Sequence, residues 1–94
     1  GPGRDAAGRR AVLGVHGRGK PFADGVDLDE FVPVTEGFSG ADLEALVREA
    51  SMRAIREFAA DLGPEAATER ADEVRITRAH FEQALEAVEP SLQG

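Results

Sequence analysis

Between Leu43 and Leu62 the apolar residues keep helical time. Leu43, Leu46, Val47, Ala50, Ala54, Ile55, Phe58 and Leu62 recur at i, i+3, i+4 and i+7, while Glu44, Arg48, Glu49, Arg53 and Glu57 take the other side. Ser39 with Asp42 three positions later forms a capping box ahead of this stripe, so the spacing predicts a helix from about Gly40 to Ala60. Gly63-Pro64 closes it. Residues 65–73 have too little apolar content to pack and read as a mobile acidic loop or a frayed helical extension. Val74-Arg75-Ile76-Thr77 then alternates as a very short strand would, and Thr77 caps a last helix that presents Phe81, Ala84, Leu85 and Val88 before Pro90 stops it.

The first third of the chain is less regular. Asp5 can cap a helix over residues 4–16, with Val12, Leu13 and His16 at helical spacing, and Gly17-Arg18-Gly19-Lys20-Pro21 ends it. Asp27-Leu28-Asp29-Glu30 reads as a capping-box start for a short helix with Leu28, Phe31 and Val32 inward, which Pro33 limits to about two turns. The expected architecture is therefore all-α: four helices, with one short strand pairing. Gly1-Pro2-Gly3 reads as a scar of tag removal, which leaves 4–94 as a single domain.

Ninety-four residues bury a thin core, which suits a helper domain better than a self-sufficient enzyme. A formal charge of -7, with Lys20 the only lysine, repels a nucleic-acid backbone. The chain has no cysteine, and no apolar run approaches the roughly 20 residues of a membrane span, so the expectation is a soluble cytoplasmic protein that binds neither nucleic acid nor membrane.

Candidate chemistry is sparse. There is no GxxxxGK[ST] phosphate loop, and Gly17-Arg18-Gly19-Lys20-Pro21 is too short to replace one. His16 and His80 are far apart and lack Cys or HExxH company, so no metal site is expected. Ser39, Ser51 and Ser91 lack a nucleophile elbow, and Ser39 is accounted for as a cap. Phe31, Phe38, Phe58 and Phe81 fall at core positions rather than on a stacking platform. Two features keep a functional reading open. His16 can either satisfy a terminal carbonyl of its own helix or point at a ligand. The run Glu36-Gly37-Phe38-Ser39-Gly40-Ala41-Asp42-Leu43 delivers bare backbone to a helix start, where unpaired N–H groups favour an anionic or polar ligand.

Four stretches resemble the small helical lid of AAA+ ATPases of the valosin-containing-protein class. They are Arg10-Ala11-Val12-Leu13-Gly14-Val15-His16, Val26-Asp27-Leu28-Asp29, Thr35 to Glu44 with Glu49-Ala50 after it, and Ile76 to Leu85 leading to Glu89-Pro90-Ser91. The third is the most specific. The resemblance implies a lid that packs on a larger nucleotide-binding domain and closes over the adenine and ribose of ATP or ADP. By motif position His16 would meet the sugar, Val12 and Val15 would lie near the adenine, and Gly40 and Ala41 would let the backbone approach base and sugar. Ala41 stands where many AAA+ proteins carry a phosphate-sensing basic residue, so none is assigned. Magnesium, the phosphate loop and the hydrolytic groups would belong to the large domain, and the fragment would not hydrolyse ATP alone. Its partners would be that domain, in the same and the neighbouring subunit of a hexameric ring, and the protein clients of an unfoldase or segregase active in processes such as cell division. The other readings are a stand-alone helical module that binds an adaptor peptide, and a histone-fold domain, which the charge disfavours.

Overall fold

The first helix begins where the sequence places its cap. The Asp5 carboxylate accepts the Gly8 N–H at 2.7 Å, and α1 runs Ala6–Gly17. The computed structural model describes residues 5–88. The expected scar at residues 1–3, the expected stop at Pro90 and the Ser91 stretch lie outside the described residues. Gly17 is not merely a terminator. It is buried within the last turn of α1, where an added Cβ would come within 2.5 Å of Leu28 Cδ1 and 3.2 Å of the Phe22 ring. The chain reverses two residues later at Gly19, whose φ of 77° is open to glycine without strain.

The expected second helix is replaced by two tight 3-10 turns, Leu28–Phe31 and Pro33–Thr35. Asp27 caps the first by accepting the Asp29 N–H at 2.9 Å, but Glu30 does not complete the box. It turns away to form a two-pronged contact with Arg78 at 2.9 and 3.0 Å. Pro33 contributes no N–H, so an α-helical ladder cannot cross it, and the Phe31 and Val32 carbonyls at the break take side-chain donors. Thr35 Oγ1 donates to the Phe31 and Val32 carbonyls at 2.8 and 3.1 Å, and the Arg9 guanidinium donates to Val32 at 2.9 Å. Thr35 and Arg9 are both buried. Leu28 is only half-buried, whereas Phe31 and Val32 are core.

The long helix α2 spans Gly40–Leu62, two residues beyond the expected end, and its reciprocal Ser39–Asp42 capping box is present. Leu43, Leu46, Val47, Ala50 and Ala54 are buried, as the stripe requires. Ile55 is not. It is 49% exposed, and Phe58 and Leu62 are half-buried, because the chain has too few partners to cover the far end of so long a helix. Gly63, at φ 87°, turns the chain into α3, Pro64–Glu69, with Pro64 in the first turn where its missing N–H costs nothing. A further 3-10 turn follows at Ala71–Glu73. Residues 65–73, expected as a mobile acidic loop or a frayed helical extension, instead belong to this separate short helix and turn, set off from α2 by Gly63, and none of the residues in these two elements is buried.

The expected strand is a single parallel bridge between Phe22 and Ile76. The Ile76 N–H donates to Pro21 at 2.8 Å and the Ala23 N–H to Ile76 at 2.9 Å. Thr77 then caps α4, Arg78–Ala87, and Phe81 seats against Phe31 with ring centroids 4.7 Å apart. Among the described residues there are thus four α-helices, but α3 takes the place of the expected second helix. α2 is the spine, packed by α1 and α4, and the fold is 45 Å long against 22 and 17 Å.

Candidate nucleotide-facing edge

The start of α2 is built to leave its amides open. Gly37, at φ 87°, makes the turn, buried Phe38 anchors it, and Ser39 Oγ accepts the Asp42 N–H at 3.1 Å while Asp42 accepts the Ser39 N–H at 2.9 Å. The box consumes the amides of residues 39 and 42. Those of Gly40 and Ala41 have no acceptor among the described residues, and Ala41 is exposed while Gly40 is half-buried. This is the bare helix start that the sequence suggested.

His16 sits on the last turn of α1, half-buried. Among the described residues its ring hydrogen-bonds to nothing, so capping of its own helix is not its use here. The ring instead lines an open cleft of about 180 Å³ together with Lys20, Glu44, Val47 and Arg48. Glu44 and Val47 belong to the second and third turns of α2, so packing of α1 on α2 sets His16 against the turns that follow the Gly40–Ala41 start. Arg48 is held by Glu44 at 2.8 Å. The remaining expected site residues divide. Val15 is 59% exposed beside His16, whereas Val12 is partly buried against the core.

Two features escaped the sequence reading. His80 is buried and replaces the usual acidic member of a capping box. Its Nδ1 accepts the Thr77 N–H at 2.9 Å, which places the ring proton on Nε2, 3.1 Å from Glu57 Oε1. The signal was available as Thr77 followed at the third position by a side chain able to accept. The second is a cleft of about 130 Å³ lined by Lys20, Pro21, Ser51, Ile55, Val74 and Ile76, adjoining the first at Lys20. Ser51 Oγ is buried there without a hydrogen-bond partner. The sequence signal was Val47, Ser51 and Ile55 at i, i+4, i+8, a polar residue within an apolar row.

A family model for the AAA+ lid domain matches residues 25–83, well over half of the chain. The chain belongs to the AAA+ lid domain family. Among relatives of the lid is the cell division cycle protein 48 homolog of Archaeoglobus fulgidus, 48% identical over 92 residues that make up 97% of this chain and 13% of that protein. Another is the ATP-dependent zinc metalloprotease FtsH 1 of Sphaerobacter thermophilus, 53% identical over 70 residues, 74% of this chain and 11% of that one. Among solved structures, a chain from work on the structural basis for katanin self-assembly superposes with a TM-score of 0.85 at 33% identity, over 96% of the lid and 33% of that chain. The lid therefore spans about an eighth or less of the length of these two sequence relatives. No helix among the described residues is long and apolar enough to cross a membrane.

Proposed function

We propose that this lid senses nucleotide for a ring-forming AAA+ ATPase of the segregase or unfoldase type. It contributes adenine and ribose contacts and subunit coupling but no hydrolytic group of its own. The observations that support the reading are the open Gly40 and Ala41 amides at the start of α2 and the unpartnered His16 ring, which lines a cleft against the next turns of that helix. Donors held ready on rigid helices fit a ligand supplied from outside the domain, and small side chains at residues 40 and 41 let it come close. His16 would meet the sugar, Val15 would lie beside the base, and Val12 would back them from the core. The match to the cell division cycle protein 48 homolog favours the segregase type over the FtsH type, because it takes in nearly the whole lid, α1 included.

ATP or ADP would be the ligand, with magnesium and the phosphates held by a large domain outside these residues. That domain, in its own and in a neighbouring subunit, is the proposed partner, and protein clients are those of the whole machine. Only a difference in ligand affinity between two lid orientations can move the ring, so the His16, Gly40 and Ala41 contacts matter through that difference. Two measurements test this. The isolated lid should bind ADP at millimolar strength or not at all, since one wall of the pocket is missing, and micromolar binding to the lid alone would contradict it. In the intact ATPase His16→Ala should weaken ADP binding about ten-fold, the value of one hydrogen bond at a desolvated site, and unchanged binding would overturn the assignment.

A further inference from the structure

The chain is rich in carboxylates, and nearly every cationic side chain among the described residues has found a partner. Arg10 pairs with Asp29, Arg48 with Glu44, Arg53 and Arg56 with Glu49, Arg70 with Glu73 and Arg78 with Glu30. Arg9 and Arg75 donate to backbone carbonyls. Arg18 and Lys20 alone among the described Lys and Arg residues have no acceptor for their charged heads, although eighteen acidic residues are present. Both stand on the turn that leaves α1, and Lys20 lines both clefts of the α1–α2 face.

A second observation points to the same place. Ser51 Oγ, the one buried side-chain polar atom among the described residues without a partner, lines the cleft beyond Lys20. A buried hydroxyl left unpaired is unfavourable, so it marks a site that something completes. A third is apolar. Ile55 and Met52, on adjacent positions of the α2 surface, are 49% and 43% exposed, and Ile55, Pro21, Val74 and Ile76 make the walls of a hollow with room for one branched aliphatic side chain. An apolar hollow, Ser51 with its unpaired hydroxyl in the wall, and the unclaimed cation of Lys20 at the rim define a complement in some detail.

We propose that this cleft docks a segment of a partner polypeptide in which an aliphatic side chain is followed directly by an acidic one. The aliphatic group fills the hollow between Pro21, Ile55 and Ile76, a backbone group of the segment meets Ser51 Oγ, and the carboxylate lies against Lys20. The charge pair at this exposed rim sets preference and orientation more than strength, and the buried aliphatic group supplies most of the affinity. This surface lies beyond the nucleotide-facing edge and does not depend on it.

The test is an NMR titration of the 94-residue chain with three capped tetrapeptides, Ala-Leu-Glu-Ala, Ala-Leu-Lys-Ala and Ala-Ser-Glu-Ala. The first should shift the backbone amides of Lys20, Ser51 and Ile55 and bind at least three-fold more tightly than either control. Lys20→Glu, distant from the buried core and checked for an unchanged circular dichroism spectrum, should reverse the preference between the Glu and Lys peptides. Ser51→Ala should weaken the first peptide without changing that preference. Equal response to all three peptides, shifts elsewhere on the surface, or self-association of the chain through the same amides would overturn the proposal. ADP titrations followed at His16, Gly40 and Ala41 report on the nucleotide reading separately, so either can fail while the other stands.

Discussion

Thr35 shows how one side chain can hold a broken element together. Pro33 interrupts the ladder, and at the break the buried Thr35 hydroxyl shares its proton between the Phe31 and Val32 carbonyls, while Val32 also accepts from the Thr35 N–H and the Arg9 guanidinium. Thr35→Val keeps the shape and removes the donor, so it should destabilise the domain by about 1–3 kcal/mol in urea unfolding; a change within a few tenths would show that water or Arg9 suffices. The proline that breaks the helix was legible in the sequence. The remedy was not, because a threonine two residues after a proline gives no sign that it will be buried, and an arginine 23 positions before Val32 gives no sign that it will reach that carbonyl. Gly17 carries the same lesson. Its place near a helix end suggested a stop, whereas its lack of a side chain is used for close packing of Phe22 and Leu28.

At the scale of the element, caps were the surest guide. Asp5, Ser39 and Thr77 each stand where an N-cap was expected, and each makes its hydrogen bond. Caps act within three residues of chain, so local sequence carries the whole interaction. Ser39→Ala should therefore cost about 1 kcal/mol of stability and Ser39→Gly only a few tenths, measured by thermal unfolding. A loss below about half that for alanine would mean that Asp42 alone holds the α2 start. Two other elements were read less well. The segment Leu28–Thr35 had helical composition yet forms 3-10 turns, and Pro64–Glu69 forms α3 although it buries nothing, helped by a proline in its first turn and alanines that lose little freedom in a helix. The bare start of α2 was legible for the same reason as the caps, since Gly40 and Ala41 follow directly from a capped start.

At the scale of the whole molecule, the surface is tied together by carboxylate–arginine pairs. The Arg53 hydrogen bond, with Arg56 behind it, holds the Glu49 carboxyl below its ordinary 4.5, and Arg70 does the same for Glu73. A carboxyl whose folded value lies below its unfolded one stabilises the fold fully above the unfolded range, and that contribution is lost as pH falls through the folded value. The thermal midpoint should thus hold steady above about pH 5 and decline below about pH 4.5, with a shallower decline in Glu49→Gln. An identical decline in the variant would remove Glu49 from the account. The elongated shape leaves one face of α2 uncovered, and on that face lie the open amides, His16, Lys20, Ser51 and Ile55. The stripe along α2, its caps, the all-helical class and the family resemblance were all written in short-range pattern, which governs backbone hydrogen bonds and amphipathic faces directly. Which end of the stripe stays bare, which carbonyl Arg9 serves, and which cations go unclaimed emerged only when distant segments met, because burial and pairing depend on neighbours that sequence spacing does not name.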